Sequence, residues 1–371
     1  MKIGITGSNG FIGWHLRCYL KTRSDISEVR LASRNEFSSS VKLCQFVREL
    51  DCVVHLAGVN RAEPKELVEG NVMPAELLVQ ALITTNSAPV IIYSSSVQAL
   101  NPEVSSYAEG KSTVTQIFSE WERKSQGKLI NLIVPHVFGE YGRPHYNSAV
   151  ATFAHQVANG VQPSIHNDGQ LELVHVQDLV ERITTLYEEG GSGVVRIEGH
   201  KTGVVEVAAK LQNLRNTYID DGQIPDLSKA FERSLFNTLR GAFQNNMRLC
   251  KVKKHQDDRG WLVETVKANS GGQCFVSTTR PGITRGNHFH RRKVERFFVL
   301  QGKARIKLRK LFTDEVITYD LNGEAPAFVD IPTLHTHSIT NIGDSELITL
   351  FWSDEFFDPD NSDTCFEEVV V

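Results

Sequence analysis

A tyrosine and a lysine four residues apart have the types and the spacing that suit proton transfer. Tyr107 and Lys111 form a Y-x-x-x-K pattern on a predicted helix, and this spacing puts both side chains on one helix face. A lysine ammonium beside a tyrosine favours the phenolate, so we expect Tyr107 to exchange a proton nearer neutral pH than an ordinary phenol does. Ser95 and Ser96 end a predicted strand upstream, where serine hydroxyls can hold a substrate carbonyl oxygen.

A glycine-rich turn near the start of the sequence has a pattern that binds dinucleotides. The glycines of a G-x-x-G-x-x-G motif lie between a predicted strand and a predicted helix. Glycine permits a tight turn and a close approach of the backbone to a pyrophosphate, which then rests on N–H groups at the positive end of the helix. We predict that the cofactor contacts Gly7, Asn9, Gly10, Phe11, Ile12 and Gly13.

The end of the second predicted strand indicates which nicotinamide cofactor to expect. The group that reads the adenosine ribose lies there, and a carboxylate suits NAD whereas an arginine suits the 2′-phosphate of NADP. Residues 31–34 offer Ser33 and Arg34 and no carboxylate at the tip of the strand. We therefore predict NADPH, with the alternative that Arg34 is a solvated loop charge.

Histidines and a glutamate late in the sequence have a spacing that suits a metal ion. His288 and His290 are two residues apart, so in a strand both imidazoles point to the same side and can share one ion. The carboxylate of Glu295 can join them if the chain bends, and His335 or His337 can supply another imidazole from a distant strand. Imidazole and carboxylate ligands together suit zinc, iron, nickel or manganese.

Alternating strands and helices must position the first group of residues. Nearly continuous apolar runs alternate with amphipathic stretches up to about residue 200, a pattern typical of a doubly wound α/β fold with a buried parallel sheet. The predicted strands are residues 2–6, 29–32, 52–56, 90–93, 129–134, 172–175 and 194–198. The predicted helices are residues 11–22, 74–84, 107–124, 150–159 and 225–246.

The pattern changes after the last of these helices. From about residue 250 the sequence alternates with a period of two between turn residues, as in residues 296–300, 304–308 and 347–351. This alternation is typical of an all-β unit. We therefore predict two domains, residues 1–248 and residues 249–371.

The glycine loop, the serines after the fourth strand and the Y-x-x-x-K pair together resemble the extended short-chain dehydrogenase/reductase family over about residues 1–245. The resemblance implies a Rossmann-like fold and NADPH-dependent reduction of a nucleotide sugar. It implies that Ser96 aligns the substrate oxygen, that Tyr107 is the acid–base residue, and that Lys111 binds the nicotinamide ribose and tunes Tyr107. The other residues that it implies are Leu56 and Ala57 in a cofactor-side loop, Asn71 as a structural asparagine, and Ser95 and Asn147 near the substrate.

The late histidines resemble the cupin superfamily, whose motifs are G-x5-H-x-H-x4-E-x6-G and P-x-G-x-x-H-x3-N. The first motif matches throughout, and in the second Leu334 stands where the family has glycine. Over about residues 255–371 the resemblance implies a β-barrel that binds one divalent metal ion, with zinc favoured for non-redox chemistry. His335 stays open as a core histidine, a support for a ligand, or a catalytic base. The implied metal ligands are His288, His290, Glu295 and His337.

A nucleotide-sugar reductase fused to a metal-binding cupin resembles bifunctional enzymes of capsular polysaccharide synthesis. The resemblance implies that the cupin domain epimerises C3 of a UDP-2-acetamido-2,6-dideoxy-4-hexulose on the route to UDP-N-acetyl-L-fucosamine. The reductase domain then reduces the C4 ketone with NADPH to UDP-2-acetamido-2,6-dideoxy-L-talose. Two alternatives stay open: a single-function reductase with a metal-stabilised oligomerisation module, and a regulator that senses NADP.

Composition narrows the partners that the chain can bind. Forty Lys and Arg residues against 44 Asp and Glu residues give a net charge of −4, which offers no basic footprint for nucleic acid. No apolar stretch is long enough for a signal peptide or a membrane span, so we expect a cytoplasmic enzyme with no membrane partner. We also expect a homodimer whose substrate is a UDP-linked 4-keto amino sugar.

Overall fold

A computed structural model describes residues 1–166 and 168–370, and the chain divides into two compact units. Unit 1 comprises Met1–Phe138, Gly142–Ala149 and Gly169–Gly203, and unit 2 comprises Gly139–Tyr141, Val150–Asp168 and Val204–Val371. Residues 204–248, which we assigned to the first domain, therefore cluster with unit 2. Val371, the last residue of the predicted cupin domain, lies outside the described residues. The predicted domain boundary at residue 248 stays a prediction.

Unit 1 is built from strands that alternate with helices. Its strands are β1 (Lys2–Thr6), β2 (Glu28–Ala32), β3 (Cys52–His55), β4 (Val90–Ser96), β5 (Lys128–Val134), β6 (His136–Phe138), β7 (Gln170–His175), β8 (Gly193–Arg196) and β9 (His200–Gly203). Over the described residues of both units, the α-helices are α1 (Phe11–Leu20), α2 (Arg34–Phe37), α3 (Ser40–Val47), α4 (Pro64–Thr85), α5 (Ser106–Lys124), α6 (Ala149–Ala158), α7 (Val176–Glu188), α8 (Val204–Arg215) and α9 (Ala230–Ala242). Helices α8 and α9 and all but the first residue of α6 belong to unit 2.

The main sheet of unit 1 is parallel, in the order β2-β1-β3-β4-β5-β8. Apolar side chains of α1 and α7 cover one face, and those of α3, α4 and α5 cover the other. Strands buried on both faces explain the nearly continuous apolar runs of the sequence. Because the chain steps from β1 in one direction to β2 and in the other to β3, a crevice forms at the carboxyl ends of these strands.

Two predicted helices have different bounds in the structure. The predicted start at residue 74 is wrong, because α4 begins with Pro64, where a proline fits the first turn, and Pro74 lies inside the helix. The buried side chains of Asn71 and Leu78 hold this helix in place across its internal proline. The predicted helix over residues 225–246 is too long, since α9 covers only its middle; Leu227 and Phe243 are buried outside the helix.

Antiparallel strands make up most of unit 2. They are β10 (Leu249–Lys251), β11 (His255–Asp257), β12 (Gly260–Leu262), β13 (Gln273–Thr279), β14 (Thr284–Phe289), β15 (Glu295–Gln301), β16 (Lys303–Lys310), β17 (Val316–Asn322), β18 (Ala327–Ile331), β19 (His335–Asn341), β20 (Leu347–Ser353) and β21 (Cys365–Phe366). One sheet has the order β10-β18-β15-β20-β13 and another the order β17-β16-β19-β14-β21.

Side chains from both of these sheets form one apolar core. Phe297 and Val329 contribute from the first sheet, and Ile306, Leu308 and Ile339 contribute from the second. Sheets that share a core in this way form a cupin-like β-sandwich or barrel. The predicted fold, a Rossmann-like α/β unit followed by an all-β cupin unit, is confirmed.

Candidate functional site

The glycine turn of unit 1 has a geometry that only glycine fits. Gly7 has a φ of +67°, and a Cβ atom there would lie 2.7 Å from the backbone nitrogen of Ala57. A Cβ atom on Gly13 would lie 2.4 Å from the carbonyl oxygen of Gly7. Gly10 begins α1 without a side-chain cap, so it leaves the first N–H groups of the helix to an outside acceptor. This turn therefore fits the pyrophosphate of a dinucleotide.

A threonine that we did not single out from the sequence holds the neighbouring cofactor-side loop. The hydroxyl oxygen of Thr6 accepts hydrogen bonds from the backbone nitrogens of Leu56 at 3.1 Å and Ala57 at 3.2 Å. With both lone pairs engaged, it donates its own proton to Nδ1 of His55 at 3.1 Å. Burial lowers the pKa of His55 to about 3, so this imidazole is neutral. The signal available in the sequence was the hydroxyl directly before Gly7.

The predicted proton-transfer residues meet at the carboxyl end of β4. Nζ of Lys111 is buried, lies 5.8 Å from the centre of the Tyr107 ring, and donates to the carbonyl oxygen of Ser94 at 2.9 Å. Ser105 caps α5 by accepting a hydrogen bond from the backbone of its first turn, which fixes the start of the helix that carries Tyr107. The structure thus brings together Tyr107, Lys111 and the serines that end β4.

The protonation of this pair differs from the expectation. Burial raises the pKa of Tyr107 to about 12, although a hydrogen bond with Ser96 acts in the opposite direction. Burial lowers the pKa of Lys111 to about 8. Desolvation therefore outweighs the effect of the nearby ammonium, and Tyr107 is a phenol near neutral pH. A phenol is the form that can donate a proton during reduction.

The remaining predicted residues of unit 1 fall into three environments. Ser95 is buried, and its hydroxyl oxygen has no hydrogen-bond partner among the described residues, whereas Ser96 caps the turn after β4 and is only partly buried. The side-chain amide of Asn71 donates to the carbonyl oxygens of Val59 and Leu67, which suits the implied structural role. Asn147 is exposed.

The carboxylate of Glu36, which we did not single out from the sequence, lies next to Ser33 at the end of β2. The hydroxyl and the backbone N–H of Ser33 both donate to the same oxygen of Glu36, each at 2.7 Å. These hydrogen bonds from Ser33 lower the pKa of Glu36, so the carboxylate stays ionised. Arg34 is exposed. The predicted cofactor contacts of Ser33 and Arg34 stay predictions.

In unit 2 the four predicted metal ligands come together. Strands β14 and β19 are paired with His288 opposite His337, and β15 begins with Glu295. One ligand atom from each of His288, His290, Glu295 and His337 lies within 4.8 Å of the others. Gly286 makes the close pairing possible: it has a φ of +97°, and a Cβ atom there would lie 2.7 Å from the carbonyl oxygen of His337.

Hydrogen bonds orient the ligand atoms of this cluster. Nε2 of His290 lies 2.8 Å from Oε2 of Glu295, while Nδ1 of His290 donates to the backbone carbonyl oxygen of Asp363. Burial disfavours charge on both members of this pair, but their mutual attraction prevails and raises the pKa of His290 while lowering that of Glu295. Nε2 of His337 is buried, lies 3.5 Å from Oε2 of Glu295 and has no hydrogen-bond partner among the described residues. Three imidazoles and a carboxylate, one imidazole nitrogen being unsatisfied, fit a divalent metal ion.

A cavity of about 400 Å³ opens beside the cluster. Charged side chains of Arg285, Lys293 and Glu355 line it, together with aromatic rings. The aromatic residues are Phe275, Phe297, Phe351 and Phe357. A mainly apolar cavity with a few polar groups is typical of a small-molecule site.

His335 lies in a different environment from the cluster. It is buried, its Nδ1 lies 3.2 Å from the hydroxyl of Tyr141, and that hydroxyl donates to the carbonyl oxygen of Thr333 at 2.8 Å. Burial lowers the pKa of His335 to about 3. Within the described residues, His335 belongs neither to the cluster nor to the lining of the cavity, so this geometry favours a structural role for it.

Leu334, the departure from the cupin motif, has a left-handed backbone conformation of the kind that glycine adopts most readily. Its φ is +58°, and its side chain is completely buried. The backbone N–H of Leu334 donates to the carbonyl oxygen of His290 at 2.7 Å, and its carbonyl oxygen accepts from Leu311 at 3.1 Å. Burial and these hydrogen bonds offset the cost of the left-handed conformation.

Two family models match the chain. The model of the NAD dependent epimerase/dehydratase family matches residues 3–197, and the model of the polysaccharide biosynthesis C-terminal domain matches residues 255–365. Among the described residues, no helix combines the length and the hydropathy that crossing a membrane requires.

A curated relative and a solved structure match over nearly the whole length, and another solved structure matches over two thirds of the chain. The chain is 32% identical over 370 residues to a UDP-2-acetamido-2,6-beta-L-arabino-hexul-4-ose reductase of Pseudomonas aeruginosa, with 98% of each chain covered. It is 30% identical to the crystal structure of the capsular polysaccharide assembling protein CapF from Staphylococcus aureus, with a TM-score of 0.61 and 100% of each chain covered. The structure of RMD from Pseudomonas aeruginosa complexed with NADPH is 19% identical, covers 66% of this chain and all of that one, and has a TM-score of 0.56, which shows a shared fold. The predicted resemblance to capsular polysaccharide enzymes is confirmed.

Proposed function

The chain belongs to the NAD dependent epimerase/dehydratase family, and from that membership we propose that it is a bifunctional nucleotide-sugar enzyme. The proposed substrate is a UDP-2-acetamido-2,6-dideoxy-4-hexulose of the L-arabino series. Unit 2 epimerises its C3, and unit 1 reduces the C4 ketone with NADPH to UDP-2-acetamido-2,6-dideoxy-L-talose. The observation that carries the proposal is the presence, in one chain, of the Tyr107–Lys111 pair and of a separate four-residue metal-type cluster. The full-length relative with a 4-keto sugar reductase name supports this substrate class.

In unit 1 the side chains deliver a proton to the C4 oxygen. Ser96 holds that oxygen by a hydrogen bond, and Tyr107 donates its phenolic proton as the oxygen gains negative charge. Lys111, which is fixed on the carbonyl oxygen of Ser94, stabilises the phenolate that remains. The phenol is ready for this step because burial raises the pKa of Tyr107 to about 12.

The glycine turn fits the nicotinamide cofactor. When bound, NADPH supplies the hydride that reduces the C4 carbon. The N–H groups at the start of α1 hold its pyrophosphate, the loop of Leu56 and Ala57 lines its other side, and Arg34 binds the 2′-phosphate. One observation favours NADH instead: the ionised Glu36, hydrogen-bonded to Ser33, would repel a 2′-phosphate.

The unit 2 cluster fits a divalent ion, and we propose zinc. The ion would satisfy Nε2 of His337, which lacks a hydrogen-bond partner among the described residues. When bound, such an ion polarises a carbonyl oxygen as a Lewis acid. The residues that would hold it are His288, His290, Glu295 and His337.

The C4 ketone makes inversion at C3 chemically accessible. When the C3–H bond breaks and its proton passes to solvent, the electron pair of that bond delocalises onto the C4 oxygen as an enolate. A solvent proton that adds to the opposite face of C3 gives the C3 epimer. No oxidation or reduction takes place in this step. The cavity beside the cluster lies within the size range of small-molecule sites.

An NMR time course of the UDP-4-ketosugar in deuterated water tests the proposal. Without NADPH the enzyme should exchange the C3 proton for deuterium, and after NADPH is added the C4 signal of the talose product should appear. Reduction without C3 exchange would support the single-function reductase and contradict the epimerase role. Absence of both reactions would contradict the proposed function as a whole.

A further inference from the structure

Lys293 lies in the cavity beside the metal-type cluster, between two of the predicted ligands in sequence. Its relative exposure is 7%, and it lines the same cavity as His288, His290 and Glu295. Its ammonium has no hydrogen bond or ion pair with any of the described residues. The other cation of the lining, Arg285, donates hydrogen bonds to the hydroxyl of Thr279 at 3.0 Å and the carbonyl oxygen of Thr278 at 2.9 Å. Among the described residues of the lining, Lys293 is therefore a cation whose ammonium is left for a ligand.

The backbone around Lys293 does not depend on its side chain. The carboxylate of Asp363 accepts hydrogen bonds from the backbone nitrogens of Arg292 at 2.7 Å and Lys293 at 3.0 Å. The next residue, Val294, donates its backbone N–H to Asp354 at 2.8 Å. The turn is held through main-chain groups, so the lysine side chain is not needed to form it. A change of this side chain should leave the turn intact.

The Lys293 ammonium lacks a partner among the residues that the structure describes and lies in a partly open cavity, so it is available to a ligand that enters there. A cation that is already in place before the reaction stabilises developing negative charge without first having to be reoriented. Such a cation stabilises most strongly an oxygen that gains negative charge during the reaction and lies next to the predicted metal ligands.

We propose that the Lys293 ammonium donates a hydrogen bond to the C4 oxygen of the ketosugar and stabilises the enolate that forms during C3 epimerisation. This inference rests on the proposed function. The C3–H bond breaks, its proton passes to water in the cavity, and its electron pair moves onto the C4 oxygen, where Lys293 holds it. A solvent proton then forms the new C3–H bond on the opposite face. Lys293 stays protonated throughout, and no electrons are gained or lost overall.

The test compares Lys293→Met and Lys293→Arg with the wild type in the deuterium-exchange assay. We expect Lys293→Met to lower kcat for C3 exchange about 100-fold with KM changed less than about threefold, the loss typical of a missing charge-stabilising donor. Lys293→Arg, which keeps the charge, should recover part of the rate. Zinc stoichiometry should equal that of the wild type in both variants, which separates this role from metal binding. Lys303→Met, at an exposed lysine on β16, is the matched control and should behave as wild type.

Three results for Lys293→Met would overturn the inference. Wild-type exchange by Lys293→Met, or a rise in KM with kcat unchanged, would overturn it, the second result marking Lys293 as an anchor for the diphosphate. Loss of zinc from Lys293→Met would overturn it as well. Supplied with the ketosugar already epimerised at C3, Lys293→Met should still reduce C4 at the wild-type rate, which shows an intact fold. If the wild type itself shows no C3 exchange, the proposed function fails rather than this assignment.

Discussion

The Nζ atom of Lys111 donates a hydrogen bond to the carbonyl oxygen of Ser94 at 2.9 Å. The bond ties α5, which carries Tyr107, to the strand that ends in Ser96. One contact thereby holds the proposed proton donor, Tyr107, near the hydroxyl of Ser96, which we propose aligns the proton acceptor. The same contact satisfies a buried ammonium that would otherwise lack a partner.

The buried Lys111 predicts a specific pH dependence of stability. Burial lowers its pKa from 10.5 to about 8, so between these pH values the unfolded chain binds more protons than the folded chain. The folded state therefore gains stability as pH rises from about 8 to about 10.5 and loses it as pH falls, by about 3 kcal/mol over the full range. We expect urea unfolding to show this gain for the wild type and not for Lys111→Met. Parallel pH profiles of the two proteins would show that the lysine is not desolvated as described.

Replacing Asp363, which is not itself a predicted metal ligand, should lower the affinity of unit 2 for its metal ion. Its carboxylate accepts backbone hydrogen bonds from the segment that follows His290, and its carbonyl oxygen orients the His290 ring. We expect Asp363→Ala to weaken zinc binding about 10- to 100-fold in a chelator competition assay, because the support of a ligand is lost. Asp360→Ala, an exposed residue of the same segment, is the control and should bind zinc as the wild type does. Equal zinc affinities of Asp363→Ala and Asp360→Ala would show that Asp363 does not support the metal site.

Replacing Leu334 by glycine, the residue of the cupin motif, should lower the stability of the protein. Leu334→Gly relieves a left-handed conformation that costs about 1–2 kcal/mol but removes a completely buried side chain, whose loss costs about 2–5 kcal/mol. We expect a net loss of about 2 kcal/mol in the free energy of unfolding, read from chemical denaturation. A variant more stable than the wild type would mean that backbone strain outweighs packing at this position.

The sequence predicted those parts of the sites in which residue type and local spacing carry the information. Tyr107 and Lys111 share a helix turn, and His288 and His290 lie at and just beyond the end of β14, so short motifs locate them. Glu295 begins the strand that follows the histidine pair, which a fixed spacing also reveals. The order of strands and helices predicted both folds, because it too can be read from residue type and local spacing.

Other parts of the sites could not be predicted because they depend on contacts between distant segments. Asp363 orients His290 through a backbone carbonyl, a group that every residue has. The carboxylate of Glu36 reaches the end of β2 only because α2 turns back onto Ser33. The pKa of Tyr107 depends on burial, which the spacing of a motif does not report. Zinc as the ion, the homodimer and the cytoplasmic location stay predictions.

If two separate sites act on one ketosugar, NMR of single-site variants in deuterated water will separate the two reactions. We expect Tyr107→Phe to incorporate deuterium at C3 at the wild-type rate while C4 reduction falls at least about 100-fold. We expect the reverse for His290→Gln, which should lose C3 exchange yet reduce a ketosugar that is already epimerised. If Tyr107→Phe reduces C4 normally, or if His290→Gln exchanges C3 normally, the assignment of the two reactions to the two sites is contradicted.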